Sequence, residues 1–527
     1  MTRHADIIFH GSVLTMDPLQ PRAQAVAVAN GRVLAVGDSS EVHELAGPAT
    51  EVVELGGACL LPGFHDAHVH LTGYGLALGQ LDLAPATTFG EALELVAQHA
   101  GTLPPGAWLR GGGIALNSWG LRTIGDSEAA ALERAVGGRP AIIDSQDHHS
   151  CWASQRVLEL AGIGPDTSSP ADGRIEHGES GRPTGLFLEE ARELLRGAVP
   201  PYLRSELADA IRAAGEGFAS LGVTTVHHMA AEPPAYFREM ALLASDESYP
   251  LRVWACVPQQ LIEAAAALGV ATGLGGGNFT IGGAKFFADG ALGSKTAWML
   301  EPYSGGDAVG IAVDSPDVLA ERLPLAIEAG LTPVVHAIGD AANRAVVDAF
   351  AQASQPLAEA GLRPRLEHAQ HMHREDVARA GELGLVTSLQ PLHLSFDVAG
   401  IEALLPDRVE RSYPMRSLQA AGAHLAFGSD APVASPDVFA GLRAACRRAA
   451  PSGARLNTHE AVSPDTALAA YTSGAAFAIG REDRSGRLRP GYDADLVILS
   501  HDPLVSLDGL AVIATLKAGA LTYGELP

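Results

Sequence analysis

The chain is 527 residues long, 47% apolar, with a formal net charge of −25. That length exceeds one small domain and suits a (β/α)8 barrel with additions, or two to three domains. The charge argues against nucleic acid or an anionic membrane as partner, and no apolar run approaches the ~20 residues of a membrane helix. The N-terminus lacks a basic-then-apolar leader, so a soluble, cytoplasmic protein is expected. The four cysteines, Cys59, Cys151, Cys256 and Cys446, are widely spaced with no Cys-x-x-Cys, which argues against a disulfide framework or a thiolate zinc site.

The first sixty or so residues read as short strands at 6–10, 25–28, 32–36 and 51–55, with Asn30-Gly31 as a hairpin signal between two of them. The far C-terminus has the same character at 494–499 and 512–519. Residues 1–61 and 480–527 are therefore expected to build one small β-sandwich from both termini. Residues 62–479 are expected to form the barrel. The apolar run 58–64 closes in His68-Val69-His70. Residues about 80–205 fit no single βα unit and read as an insertion after the first barrel strand, with a glycine loop at Gly111-Gly112-Gly113 and a strand at 140–144. Beyond it, β-rich runs at 222–226, 252–257, 280–287, 332–336, 365–368, 385–389 and 424–430 alternate with helical stretches. Alternation of this kind indicates a parallel sheet, and this many units favours a closed α/β barrel.

In a strand, residues i and i+2 share a side, so His68 and His70 make a metal-binding pair. Later strands carry Lys285, His336, His368 and Asp430 at or near their ends. In a barrel such ends converge on one mouth. Four His and one Asp are a nitrogen/oxygen set suited to zinc or a similar divalent cation. Lysine occurs only at Lys285, Lys295 and Lys517, and arginine supplies the rest of the 36 basic residues. A retained lysine hints at chemistry that guanidinium cannot supply.

Six motifs, 62–70 (PGFHDAHVH), 285–290 (KFFADG), 336–340 (HAIGD), 367–370 (EHAQ), 390–393 (QPLH) and 428–432 (GSDAP), resemble the amidohydrolase superfamily. More narrowly, they resemble the amidohydrolase-3 branch that includes N-substituted formamide deformylase. The tail 486–497 resembles the segment that returns to the β domain. The resemblance implies a (β/α)8 barrel with a terminal β-sandwich and a site for one or two Zn2+ or similar ions. His68 and His70 would hold one ion, His336 and His368 would hold a second or help hold a single one, and Lys285 would be a carbamylated bridge. Asp430 would touch the metal and serve as general acid/base. The reaction expected is hydrolysis of a non-peptide C–N bond, amide or N-formyl, by metal-activated hydroxide. A mononuclear hydrolytic deaminase of a heterocycle is the rival reading, disfavoured by Lys285. A non-catalytic barrel scaffold would have lost ligands, and none is lost.

For the substrate side, similar proteins place a His at the position of His149. Trp119 is a candidate pocket wall, Asp289 orients substrate or caps the next turn, and His393 follows another strand. His65 should face away from the metal on a straight strand. The expected partner is a small molecule, with a homodimer as the common default.

Overall fold

The computed structural model describes residues 4–116, 119–145, 150–170, 173–230 and 232–527. Eight strands, β1 (Phe64–Val69), β2 (Val223–His228), β3 (Arg252–Pro258), β4 (Phe279–Phe287), β5 (Thr332–Ala337), β6 (Arg365–His368), β7 (Val386–Leu389) and β8 (His424–Phe427), pair in chain order. Each pairing between successive strands is parallel. The ring closes just beyond β8, where Asp430 N donates to His68 O at 2.7 Å and His70 N to Ala431 O at 2.8 Å. This is a (β/α)8 barrel, as expected. Gly428 permits the closure, because a Cβ there would lie 2.4 Å from His68 N and 2.8 Å from Asp66 Oδ1.

The helices between strands follow ordinary rules. Helix Pro316–Glu328 starts with Ser315 Oγ accepting from Val318 N, and proline occupies its first turn. It buries Leu319, Leu323, Ala326 and Ile327 at helical spacing against the barrel. The strands themselves are almost wholly buried, as a sheet covered on one face and filled on the other must be.

Strands Ile7–Leu14, Arg22–Ala29, Arg32–Gly37, Glu51–Pro62, Leu496–Leu499, Val512–Lys517 and Ala520–Gly524 share a seven-stranded sheet. Val28 and Val33 near one edge and Leu496 and Leu516 near the other belong to one buried core, so the sheet folds over on itself. Asn30 and Gly31 have φ of 52° and 70°, the left-handed pair of a tight hairpin turn. The apolar run 58–64 is not one strand. Its first part lies in the terminal sheet and β1 begins at Phe64, with Gly63 between them because a side chain there would strike Thr224.

Residues Gly75–Ala210 form a second compact unit. It holds a six-stranded sheet in the order Gly173–His177, Pro183–Glu189, Ser150–Ala153, Ala141–Ser145, Leu109–Ile114, Leu81–Asp82, over a core that includes Leu109, Ile143 and Trp152. Gly111-Gly112-Gly113 is thus strand, not loop. The glycines serve close packing, since a Cβ on Gly111 would meet Leu81 O at 2.5 Å.

Candidate metal centre

The expected ligand residues line one cavity of about 410 Å³ at the C-terminal end of the barrel: His68, His70, Lys285, His336, His368 and Asp430. Donor atoms of His68, His368 and Asp430 all lie within 4.8 Å of one another. His70 Nε2 is 3.2 Å from Asp430 Oδ1, and the rings of His336 and His368 are 4.4 Å apart between centroids. Two strand ends turn sharply to achieve this. His368 and Asp430 have φ of 71° and 61°, a left-handed conformation that disfavours L-residues and concentrates at functional sites. In β6, Arg365 and Glu367 share a side by alternation, and the left-handed turn at His368 accompanies its ring's entry into the cavity.

Hydrogen bonds set the imidazole tautomers. His68 Nδ1 donates to Glu367 Oε2 at 2.7 Å, and His70 Nδ1 donates to Met229 O at 3.1 Å. The His68 ring, kept neutral by burial, therefore presents its Nε2 lone pair to Asp430, and His70 Nε2 faces the same carboxylate. His336 does the reverse, donating from Nε2 to Gly290 O at 3.0 Å, which leaves its Nδ1 as acceptor.

Burial first, and the charge of Lys285 second, bring the His68 pKa down to about 4. Burial, followed by neighbouring His336 and His68, holds His368 well below the usual histidine range. Burial alone would raise Asp430, but His68, His70 and His368 outweigh it and keep the carboxylate ionised. A neutral His68 ring facing an ionised carboxylate at 3.5 Å places acceptor against acceptor. A cation held among them resolves that clash, so the donor set fits a divalent metal. Lys285 is 1% exposed, and among the described residues its Nζ has no hydrogen-bond partner. Burial is the main cause that lowers its pKa, opposed chiefly by Glu367.

With that geometry, comparison with known proteins is decisive. The sequence profile described as the amidohydrolase family matches residues 51–523. The chain belongs to the amidohydrolase family. It is 31% identical to a putative amidohydrolase, YtcJ, of Bacillus subtilis over 98% of this chain and 99% of that protein. It is 29% identical to the N-substituted formamide deformylase of Arthrobacter pascens over 99% of both. A solved structure of an uncharacterized metal-dependent hydrolase from Pyrococcus horikoshii superposes with a TM-score of 0.80 at 27% identity, covering 95% of this chain and 99% of that one. This amidohydrolase is a metal-dependent hydrolase of carbon–nitrogen bonds. No helix among its described residues is long and apolar enough to cross a membrane.

The remaining expected residues divide. His393 lines the amidohydrolase cavity, with Nε2 3.9 Å from Asp430 Oδ2. Asp289 instead faces backbone. It accepts from Ile338 N at 2.9 Å, Gly339 N at 2.7 Å and Trp298 N at 2.8 Å, and its Oδ1 lies 3.4 Å from His336 Nε2. Those bonds make it a clamp on the loop after β5 rather than a group open to substrate. Trp119 belongs to the Gly75–Ala210 unit, where Nε1 donates to Ala86 O at 2.9 Å. His149 lies outside the described residues. Of the other lysines, Lys517 donates to the carbonyls of Glu247 and Tyr249, and exposed Lys295 occupies a left-handed turn position.

Two residues not singled out from the sequence complete the centre. Arg365 and Glu367 are fully buried, joined at 2.8 Å and 3.2 Å. Arg365 Nη2 also donates to Ala67 O, the carbonyl preceding His68, at 2.7 Å. The pair fixes both the ring and the backbone of His68. His65, on the register-shifted β1, packs behind this pair. Its ring meets that of His227 at 5.8 Å, and His227 Nδ1 accepts from Arg365 at 3.0 Å. The signal that was available is two ionisable residues at i and i+2 inside an otherwise buried strand.

Proposed function

We propose that this amidohydrolase cleaves a non-peptide amide or N-formyl bond of a small molecule, with Asp430 as general acid/base. The observation that carries this is Lys285 Nζ, buried without a hydrogen-bond partner among the described residues, in the cavity that five histidines and Asp430 also line. A buried amine with a lowered pKa is suited to capture CO2 as a carbamate, a carboxylate-like ligand. His68, His70, His336, His368 and Asp430, with carbamylated Lys285, would hold one or two Zn2+ ions. When bound, such an ion supplies Lewis acidity towards the scissile carbonyl and acidifies water.

The chain's own residues do the rest. Asp430, ionised and beside the cavity, takes the proton of the attacking water as its oxygen bonds to the carbonyl carbon. It then gives that proton to the departing nitrogen as the C–N bond breaks, releasing a carboxylate or formate and an amine. His393, whose Nε2 is buried without a hydrogen-bond partner among the described residues, donates to the carbonyl oxygen as negative charge develops there. The Gly290 carbonyl holds the His336 ring, and Glu367 holds the His68 ring. The absence of paired cysteines supports a cytoplasmic setting. The test is metal content of the purified enzyme together with turnover of simple N-substituted formamides by the zinc-loaded form. A protein that takes up no zinc, or one in which Asp430→Asn keeps full turnover, overturns the reading.

A further inference from the structure

We infer that the cavity carries a cation-recognising subsite, so that the substrate is an acylated amine with a short apolar arm ending in a positively charged group, an ammonium or a guanidinium. This rests on the reading that the cavity holds the reacting amide. The subsite lies on helix Pro391–Leu404. His393, Phe396 and Asp397 all line the cavity, and at i, i+3 and i+4 they share one face of that helix. His393 stands beside Asp430, and Asp397 is one turn further on, about 6 Å along the axis.

Asp397 is held in place from behind. Tyr413 Oη donates to its Oδ2 at 2.6 Å and Gln370 Nε2 to the same oxygen at 2.5 Å. Among the described residues nothing bonds to Oδ1, which is left to the cavity. Part of the cavity wall is apolar. Phe396 and Val433 are 62% and 68% exposed there, an unusual degree for side chains of this kind. Among the described residues no arginine lines the cavity, and the single lysine there is Lys285, at the metal end. A substrate with an anionic tail would therefore meet Asp397 with no counter-charge. Burial raises the Asp397 carboxyl above its usual range, with Tyr413 foremost among the groups opposing this. An arriving cation adds to that opposition and gains a charge-assisted hydrogen bond.

The test uses zinc-loaded enzyme and three formamides of matched length: N-(aminopentyl)formamide, N-hexylformamide and formylaminohexanoate. The cationic compound should have the highest kcat/KM, about ten- to a hundredfold above the neutral one, the effect of one charged hydrogen bond. In Asp397→Asn that ratio should fall to near one. A wild-type enzyme that treats the cationic and neutral compounds alike, or prefers the anionic one, overturns the subsite, and this arm needs no variant to fold. Calorimetric binding of pentylguanidinium, which cannot ligate zinc through a free amine, separates the two hypotheses. If no formamide is cleaved yet pentylguanidinium binds about tenfold more weakly to Asp397→Asn, the hydrolytic reading fails and the subsite stands. If the variant folds and binds pentylguanidinium as well as the wild type does, the subsite fails whatever the turnover.

Discussion

Glu367→Gln tests the buried pair beneath the metal centre. Glu367 accepts from His68 Nδ1 at 2.7 Å and from Arg365 Nε at 2.8 Å, with no exposure of its side chain. Both partners are donors. Glutamine offers one acceptor oxygen and one NH2, so one contact becomes donor against donor. If the amide turns its oxygen to Arg365, the His68 ring loses its acceptor and is free to rotate. Loss of such a support typically costs ten- to a hundredfold in metal affinity, which is about 1.4–2.7 kcal/mol. The variant also leaves the buried guanidinium without its counter-charge, a loss of about 3–5 kcal/mol in folding stability when a pair is broken outright. Zinc affinity is read by competition with a chromophoric chelator, and stability by urea unfolding of the metal-free protein. The double variant Arg365→Met/Glu367→Leu separates the two effects. It should recover most of the stability, because no charge is left unpaired, yet keep the zinc deficit. A Glu367→Gln protein that binds zinc within twofold of the wild type would refute the orienting role.

Four further outcomes are expected. Asp430→Asn should lower kcat by at least about a hundredfold, the usual worth of a general acid/base, in steady-state assays at saturating zinc. Lys285→Ala should abolish turnover, and added short carboxylates should partly restore it, whereas undiminished activity would remove Lys285 from the centre. Chelation should lower the melting temperature, since zinc at a thousandfold over its Kd contributes about 4 kcal/mol, and calorimetry with and without chelator reads this directly. His65 and His228 are driven by burial from 6.5 to about 3. Between those values the unfolded chain binds more protons than the folded one, so their contribution is complete above about pH 6.5 and is lost as pH falls towards 3. Urea midpoints should fall across that window, and those of His65→Phe should fall less steeply.

Much of the centre was legible because barrel strands carry their chemistry at one end. His68, Lys285, His336, His368 and Asp430 are far apart in sequence, yet parallel strands in chain order bring such ends together. Scarcity marked Lys285, and of the three lysines it alone lines the cavity. Asp289 was ambiguous for a physical reason. A carboxylate just past a strand end serves equally to meet a ligand or to satisfy loop N–H groups, and only the path of the loop after β5 decides between them. His65 was expected to face away from the metal, and its ring packs against His227 rather than lining the cavity.

By itself, then, the sequence determined the barrel, the hairpin at Asn30-Gly31 and the order of the ligand residues, because period, turn chemistry and strand ends are local properties. The tertiary structure decided which neighbours those candidate ligands have. Glu367 and His68 are separated by 299 residues, and Asp397 faces the cavity because Tyr413 and Gln370 hold it from behind. A hydrogen bond between distant segments leaves no periodicity in either, so its existence follows from the closing of the barrel alone.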